Sequence, residues 1–240
     1  MLYLIGIGLG NEKSLSLEAI EILKKCKKIY LENYTSKFQG SINNLEKLIG
    51  KKINPANRGF IENEFDVSDV KKDDIALLII GDVFSATTHI NLFNDCKSKN
   101  VKVDVINNVS VMTAVGITGL SLYNFGKIAS IPFENEKIDS PIKILNDNLK
   151  INAHTLFLLD LDPEKRRFLS IKEAIEYLEK KRVKDKIIGC ARLGNDDFVI
   201  KYGEMVKIKS IDFGEGPYCL IIPAKKLHFI EEEVLEKWKI

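Results

Sequence analysis

The 240-residue sequence contains no long hydrophobic run. Its longest apolar stretches, such as residues 75–80, fall well short of the ~20 residues that a membrane-spanning helix needs. The apolar N-terminal stretch, MLYLIGIGLG, has no basic leader and no small-residue cleavage site, and glycines interrupt it. We therefore expect a cytoplasmic protein that has no membrane partner.

An excess of charge of one sign is also missing, and so is any pattern of metal ligands. The 36 lysine and arginine residues are nearly balanced by 34 aspartate and glutamate residues, and no basic tail stands out. This balance gives no electrostatic reason to expect a nucleic acid partner. The three histidines lack metal-ligand spacing, and the four cysteines are far apart without a CxxC motif. We therefore predict no metal site, and buried thiols in a reducing compartment.

The first half of the chain alternates short apolar strands with amphipathic helices. Near-continuous apolar strands separated by helices predict a parallel sheet that is covered on both faces. Such sheets bind ligands beyond the carboxyl ends of their strands. The glycine turn at residues 8–10 and the Gly81-Asp82 turn both follow predicted strands, so we expect them to share one edge of the sheet. The strands are predicted at residues 2–7, 28–31, 75–80 and 101–106.

The second half has strands in closer succession, with less helix between them. Ser170 and Glu173 have capping-box spacing ahead of an amphipathic helix, and apolar residues near the end of the chain predict a closing helix. Consecutive strands indicate an antiparallel or mixed sheet. We predict an α/β protein of two domains, a Rossmann-like parallel domain at 1–111 and a mixed α/β domain at 112–240. The strands of the second domain are predicted at residues 154–159, 187–191, 198–202 and 218–222.

Two motifs at the predicted sheet edge allow more than one interpretation. GIGLG at residues 6–10 begins like a dinucleotide-binding loop, but Asn11 follows and there is no third glycine. A tight turn explains it equally well. Asp82 either caps the helix that carries His89 or contacts a ligand. His89 shares a helical face with apolar residues, so a buried structural histidine is the simplest interpretation, and no residue is assigned a catalytic role.

Seven stretches of the chain, in order, resemble the diphthine synthases. These belong to the tetrapyrrole-methylase-like group of S-adenosylmethionine-dependent methyltransferases. The resemblance runs from the first residue to the last helix with few insertions. GDxxxATTH together with AVGITGL is specific to this branch, whereas the opening GxGxG is shared by the wider group. The stretches are LYLIGIGLG, YLENYTS, GDVFSATTH, SVMTAVGITGL, HTLFLLDLDPEKR, DFGEGPY and KLHFIEEE.

The resemblance implies a cofactor, a substrate and an assembly. The cofactor is S-adenosyl-L-methionine, folded into the cleft between the two domains. The protein substrate is translation elongation factor two, whose modified histidine is methylated on its amino group during diphthamide biosynthesis; archaeal-type members trimethylate it. Members of the branch are homodimers. Arg58 and Glu62 match an Arg-x-x-x-Glu pattern of the branch and are expected to hold charged groups of the substrate, the alternative being a surface ion pair.

Carried over by position, the resemblance also implies a set of cofactor contacts. Ser85 replaces the usual valine of the family, Leu193 an alanine and Tyr218 a histidine. A larger side chain at Leu193 narrows the pocket, and Tyr218 does not titrate as a histidine does. Val83 replaces the usual proline, which loosens the turn at Asp82. The predicted cofactor-binding residues are Leu9, Asp82, Ser85, Ser110, Val111, Leu159, Leu193 and Tyr218.

Three other functions remain open at this point. The first is a methyltransferase of the same group that acts on a tetrapyrrole or on ribosomal RNA, although the near-neutral charge disfavours RNA. The second is a nicotinamide-dependent oxidoreductase that uses the GIGLG loop. The third is a non-catalytic relative in which Leu193 and Tyr218 have closed the pocket.

Overall fold

The structure is a computed structural model that describes residues 1–240, apart from the side chains of Asp69 and Lys71. The chain forms two compact units, Met1–Val111 and Met112–Ile240. Throughout the part of the chain described, no helix is long and apolar enough to cross a membrane.

The first unit is built on a parallel sheet, as predicted, but the sheet has five strands rather than four, because the short strand at Asn54–Ala56 was not predicted. Its strand order is β3-β2-β4-β1-β5, and every neighbouring pair runs parallel. The carboxyl ends of all five strands therefore lie at one edge. The strands are β1 (Leu2–Gly6), β2 (Lys28–Glu32), β3 (Asn54–Ala56), β4 (Ile75–Ile79) and β5 (Val103–Ile106).

Apolar side chains cover both faces of this sheet. Successive residues of a strand point to opposite faces. Leu4 and Leu77 accordingly belong to one buried cluster, while Ile5 and Leu78 belong to another. This two-sided burial explains why the strands read as continuous apolar runs rather than as alternating ones.

Local signals mark one end of each of two helices of the first unit, α1 (Leu17–Lys25) and α2 (Ile42–Ile49). A third helix, α3, spans Ile90–Ser98. The Ser16 side chain accepts a hydrogen bond from Ala19 N and caps α1, so the helix begins at Leu17. Gly50 ends α2 in the left-handed conformation, at φ 71°.

The second unit contains a mixed sheet, which also matches the prediction. Its order is β11-β10-β12-β7-β6, with β6 parallel to β7 and the other pairs antiparallel. A short hairpin, β8 (Leu161–Asp162) and β9 (Arg167–Phe168), lies apart from it. The strands of the main sheet are β6 (Ala129–Ile131), β7 (Thr155–Leu159), β10 (Ile187–Ala191), β11 (Val199–Gly203) and β12 (Tyr218–Ile222).

The helices of this unit confirm the predicted capping box. Ser170 accepts from Glu173 N while the Glu173 carboxylate accepts from Ser170 N, and the helix that follows buries its apolar stripe against the sheet. Short 3-10 turns at Val115–Thr118 and Leu122–Asn124 follow the first helix. The helices are α4 (Val111–Ala114), α5 (Ser140–Lys150), α6 (Ile171–Lys180), α7 (Met205–Ile208) and α8 (Phe229–Trp238).

Candidate functional site

The two glycine turns of the first unit meet at the carboxyl edge of its sheet, as the sequence predicts. Gly8 and Gly81 exchange backbone hydrogen bonds of 3.0 and 2.9 Å. Both have positive φ, 72° and 87°, a conformation that favours glycine. A side chain at Gly6 would place its Cβ 2.8 Å from the Gly81 carbonyl oxygen. Glycine is therefore required where the ends of β1 and β4 converge.

Asp82 uses its carboxylate to join the end of β4 to the loop after β5. One oxygen accepts from Phe84 N at 3.2 Å and from Ser85 Oγ at 3.1 Å, and the other accepts from Asn108 N at 3.1 Å. The helix that follows, α3, begins only at Ile90. The interpretation of Asp82 as the cap of that helix is therefore wrong, because the carboxylate fixes its own turn and the neighbouring loop.

Asn108 is a central residue of this edge that the sequence analysis missed. Its Nδ2 donates to the carbonyl oxygens of Gly6 at 3.0 Å and Ser14 at 2.9 Å, and its Oδ1 accepts from Val109 N at 2.8 Å. It thereby ties the loop after β1 to the loop after β5. The only signal in the sequence was a polar Asn-Asn pair directly after a strand.

The remaining candidate residues of the first unit surround Gly81. A Cβ built on Gly81 would lie 3.7 Å from Leu9 Cδ2 and 4.0 Å from Ser110 Cα. Val111 follows Ser110 as the first residue of α4. The fold thus gathers Leu9, Asp82 and Ser110 around one glycine, next to backbone that a ligand can approach closely.

Three candidate residues of the second unit share one edge of its sheet. The antiparallel register pairs Cys219 with Leu158 and Tyr218 with Ala191, so Leu159 and Tyr218 lie on neighbouring strands at the same end. Leu193 is buried just beyond the end of β10. The Tyr218 hydroxyl donates to the Gly214 carbonyl oxygen, and burial raises its pKa, so it stays protonated.

Arg192 holds the two loops at this edge of the second unit together, a role with no recognisable sequence pattern. Its backbone N donates to the Pro217 carbonyl at 3.0 Å. Its guanidinium donates to the Asp197 carboxylate at 2.7 Å and to the Phe213 carbonyl at 2.7 Å. The loop before Tyr218 is therefore fixed by charge-assisted hydrogen bonds to the loop after β10.

A further group of polar side chains, the Tyr34 cluster, consists of Tyr34, Arg58, Glu62 and His89. Tyr34 Oη lies 3.3 Å from His89 Nε2, and both side chains are buried. The Arg58 guanidinium lies over the Tyr34 ring, with its carbon 5.3 Å from the ring centre. Arg58 Nε is 3.9 Å from Glu62 Oε1. The cluster follows the carboxyl ends of β2, β3 and β4, which places it on the same edge as the glycine turns.

Comparison with known proteins agrees with this arrangement. The sequence profile described as Tetrapyrrole (Corrin/Porphyrin) Methylases matches residues 1–205. The chain belongs to the tetrapyrrole methylase family. A "Diphthine synthase" of Methanocaldococcus jannaschii is 38% identical, covering 98% of this chain and 98% of the relative. A "Probable diphthine methyl ester synthase" of Arabidopsis thaliana is also 38% identical, covering 100% of this chain and 98% of the relative.

A solved structure within this tetrapyrrole methylase family supports the fold as well. The "Crystal structure of diphthine synthase" superposes with a TM-score of 0.92 at 34% identity, covering 100% of this chain and 96% of that chain. The predicted fold class and the predicted enzyme class, an S-adenosylmethionine-dependent methyltransferase, are therefore confirmed. The coarse function is a methyltransferase of diphthamide biosynthesis.

Glu32 gives a structural reason to discard the nicotinamide alternative in this tetrapyrrole methylase. A dinucleotide-binding loop uses an acidic residue after the second strand to bind ribose hydroxyls. Glu32 is the last residue of that strand, but its carboxylate already accepts from Tyr34 N at 3.3 Å, Thr35 N at 3.0 Å, Ile80 N at 3.2 Å and Thr35 Oγ1. The side chain is fully buried. It therefore holds the ends of β2 and β4 together and is not presented to a ligand.

The cysteines of this family member are buried and free, as predicted. Cys190 and Cys219 lie directly opposite each other on β10 and β12, and their contact together with burial raises the pKa of the Cys190 thiol well above its ordinary value. Such thiols are unreactive. Among the described residues, no group of three or more histidine, cysteine or acidic side chains is arranged to hold a metal ion.

His89 predicts a measurable pH dependence of stability. Burial lowers its pKa from 6.5 to about 4 in the folded protein. Between these values the unfolded chain binds a proton that the folded chain does not, so stability falls as the pH drops from 6.5 to about 4. His154, whose pKa burial also lowers, acts in the same direction. We expect His89→Gln to remove roughly 1 kcal/mol of this change per pH unit. Urea unfolding of wild type and His89→Gln at pH 7 and pH 5 measures this effect. If the variant loses as much stability between the two pH values as wild type does, the assignment to His89 is wrong.

Proposed function

We propose that this protein trimethylates the amino group of the modified histidine on translation elongation factor two, using S-adenosyl-L-methionine. The observation that carries the proposal is the convergence of Leu9, Gly81, Asp82 and Ser110 at one sheet edge. The branch-specific motifs and the diphthine synthase relatives support the same function. We further propose that the enzyme is a cytoplasmic homodimer, which light scattering of the purified protein tests.

The residues present fit such a cofactor. Gly81 has no Cβ, and the side chain that it lacks would meet Leu9 Cδ2 and the Ser110 backbone only at 3.7 and 4.0 Å. The edge therefore combines approachable backbone, an apolar side chain and the Asp82 carboxylate. We assign cofactor contacts to Leu9, Asp82, Ser85, Ser110 and Val111 in the first unit, and to Leu159, Leu193 and Tyr218 in the second.

The bound cofactor supplies an electrophilic methyl group on a sulfonium. The protein's own contribution is to hold the acceptor amine in line with that methyl group, at about 3–3.5 Å, and positioning of this kind can lower the barrier by about 7–11 kcal/mol. Asp82, whose carboxylate is itself fixed by three hydrogen bonds, provides a rigid contact for the cofactor. The amine must be deprotonated before it attacks, and solvent or a positioned carboxylate can accept that proton.

Calorimetric titration with S-adenosylhomocysteine, with NAD as the control ligand, tests the cofactor assignment. We expect binding of the first and none of the second. Asp82→Ala should weaken the affinity at least about tenfold, or about 1.4 kcal/mol. Asp66→Ala is a matched control, because Asp66 also fixes a turn of the first unit through a backbone amide, that of Ser68. Equal affinities for wild type and Asp82→Ala would remove Asp82 from the site.

The name of one relative supports a different methylation product, a methyl ester. The Arabidopsis name refers to a methyl ester, and an ester methyl group forms on a carboxylate rather than on an amine. Radiolabelled methyl transfer to the elongation factor that carries the unmethylated intermediate distinguishes the two products. Label on nitrogen survives mild alkali, whereas an ester label is released. We expect stable label; complete release would replace N-methylation with ester formation.

A further inference from the structure

The turn that carries Asp82 contains a residue in a conformation that its type disfavours. This Asp82 turn, residues 81–88, lies between β4 and α3 and also includes Ser85. Ala86 adopts the left-handed region, at φ 61°. A residue other than glycine rarely takes this conformation, which persists only where surrounding contacts hold it. The turn therefore depends on anchors outside itself, of which the bond between Asp82 and Asn108 is one.

Two further contacts hold the ends of the Asp82 turn on neighbouring residues at the end of β2. Just before the turn, Ile80 N donates to one oxygen of the Glu32 carboxylate at 3.2 Å. Just after it, His89 Nε2 lies 3.3 Å from the Tyr34 hydroxyl. Tyr34 N donates to the other Glu32 oxygen at 3.3 Å, so the two anchors are joined. Hydrogen bonds between buried residues thus close the turn into a ring.

The Tyr34 hydroxyl is the group that fixes the His89 ring. Among the described residues, His89 Nδ1 has no hydrogen-bond partner, so Tyr34 is the single partner of the imidazole there. Burial raises the pKa of Tyr34 to about 12 and lowers that of His89 to about 4, so both groups are neutral near pH 7. The far end of the Asp82 turn therefore depends on one hydroxyl group.

We propose that Tyr34 and His89 are positioning residues for the cofactor site. Their contact holds the Asp82 turn in the conformation in which Asp82 and Ser85 meet S-adenosyl-L-methionine. This inference rests on the proposed function, in which Asp82 and Ser85 are cofactor contacts. A turn that is fixed before the ligand arrives costs less to order on binding, so the contact between Tyr34 and His89 should strengthen cofactor binding.

Substitutions that remove this one contact test the positioning role. The variants are Tyr34→Phe, His89→Leu, the two combined, and His89→Gln, which keeps a polar group near the position of Nε2. The matched control is Tyr177→Phe, because Tyr177 is also a buried tyrosine and its hydroxyl donates to the Ile138 carbonyl oxygen at 2.9 Å, but in the second unit. Calorimetry with S-adenosylhomocysteine measures the affinity of each variant, and thermal unfolding measures its stability.

We expect Tyr34→Phe and His89→Leu each to weaken the affinity for S-adenosylhomocysteine by about five- to tenfold, as loss of one hydrogen bond does. The combined variant should bind no more weakly than either single variant, because all three break the same contact. His89→Gln should recover most of the affinity. Tyr177→Phe should lower thermal stability as Tyr34→Phe does, but it should leave the affinity unchanged.

Hydrogen exchange of the ligand-free protein gives a second readout that does not require binding. Asn108 N donates to the Asp82 carboxylate, so its amide should exchange about fivefold faster in Tyr34→Phe if the turn loosens. The Ile80 amide should exchange as in wild type, because Glu32 holds it without the Tyr34 hydroxyl. This pattern would place the loosening in the turn rather than in the strand before it.

Three results overturn the inference in distinguishable ways. If wild type binds S-adenosylhomocysteine and Asp82→Ala weakens binding, but Tyr34→Phe binds as wild type does, the contact between Tyr34 and His89 is only structural and the proposed function stands. If Tyr177→Phe weakens binding as much as Tyr34→Phe, the loss reflects general stability, and the positioning role is again rejected alone. If wild type does not bind S-adenosylhomocysteine, the cofactor assignment fails and the positioning role fails with it.

Discussion

Glu231→Ala is expected to lower the free energy of unfolding of the second unit by about 3–5 kcal/mol, because it removes a buried carboxylate that accepts hydrogen bonds from four donors. Glu231 is 2% exposed. One carboxylate oxygen accepts from Ser121 N at 2.9 Å, Asn124 Nδ2 at 3.2 Å and His154 Nε2 at 3.2 Å, and the other accepts from His228 N at 3.0 Å. The alanine variant would leave all four donors without this acceptor.

The hydrogen bonds of His154 fix its tautomer and explain why it depends on Glu231. Ala224 N donates to His154 Nδ1 at 2.9 Å, so Nδ1 carries no proton. Nε2 therefore carries the proton of the neutral ring and donates a hydrogen bond to the Glu231 carboxylate. Burial lowers the pKa of His154, which keeps it neutral. Without Glu231, the His154 N–H is a buried donor with no acceptor, which itself costs ~1–3 kcal/mol.

The fluorescence of Trp238 provides a way to measure the stability lost in Glu231→Ala. Trp238 is the single tryptophan of the chain and the last residue of α8, the helix that contains Glu231. Urea unfolding followed by its fluorescence thus reports directly on the affected helix. The control is Glu233→Ala, because Glu233 is an exposed residue of the same helix. A loss below about 1 kcal/mol for Glu231→Ala, typical of an exposed pair, would contradict the assigned role.

The fold was largely predictable because its signals are local. Apolar runs mark strands buried on both faces, and capping pairs such as Ser170 with Glu173 need only residues close in sequence. Gly50, which ends α2, is a local signal of the same kind. One error lies at a boundary, since β5 begins at Val103 rather than at residue 101. The others are the three-residue strands β3 and β6, which are too short to show a pattern of their own and were not predicted.

The candidate site was predictable only in part, because its organising residues act over long separations. Asn108 donates to carbonyl groups of Gly6 and Ser14, which are remote in sequence, and a lone asparagine after a strand does not indicate which loops it will join. Arg192 has the same kind of role in the second unit. Asp82, in contrast, was recognised as a candidate from a short motif, but its bond to Asn108 required the fold.

Glu32→Ala is the second substitution for which we expect a large effect, about 2–4 kcal/mol in the first unit. Three backbone donors, Tyr34 N, Thr35 N and Ile80 N, would lose their acceptor in a buried place. Hydrogen exchange measures this most directly, because the Ile80 amide should exchange faster by roughly a hundredfold if the local loss is near 3 kcal/mol. The turn that carries Tyr34 should loosen with it.

Glutamine variants at Glu231 and Glu32 should separate the effect of the negative charge from the effect of the side-chain shape. Hydrogen bonds from its backbone and side-chain donors lower the pKa of Glu231 to about 2 despite burial, so the folded protein favours the charged form. Burial raises the pKa of Glu32, so there the fold opposes the charge. Glutamine removes the charge and keeps the shape. At pH 7 we therefore expect Glu231→Gln to cost nearly as much as Glu231→Ala. Glu32→Gln should cost less than Glu32→Ala, because it keeps one of the two accepting oxygens, although its amide nitrogen cannot accept from the donors that face the other oxygen.

The pH dependence of stability should also differ in sign between Glu231 and Glu32. Stability from Glu231 is present above its unfolded pKa of 4.5 and is lost as the pH falls towards about 2, a change of about 3 kcal/mol that Glu231→Gln should abolish. Glu32 acts in the opposite direction, because its stabilising contribution is fully present below pH 4.5 and is lost as the pH rises through its raised pKa. Glu32→Gln should therefore gain stability relative to wild type as the pH rises. If the two glutamine variants lose the same free energy of unfolding at pH 7, the charge has the same effect at both positions, and the assigned difference between Glu231 and Glu32 is wrong.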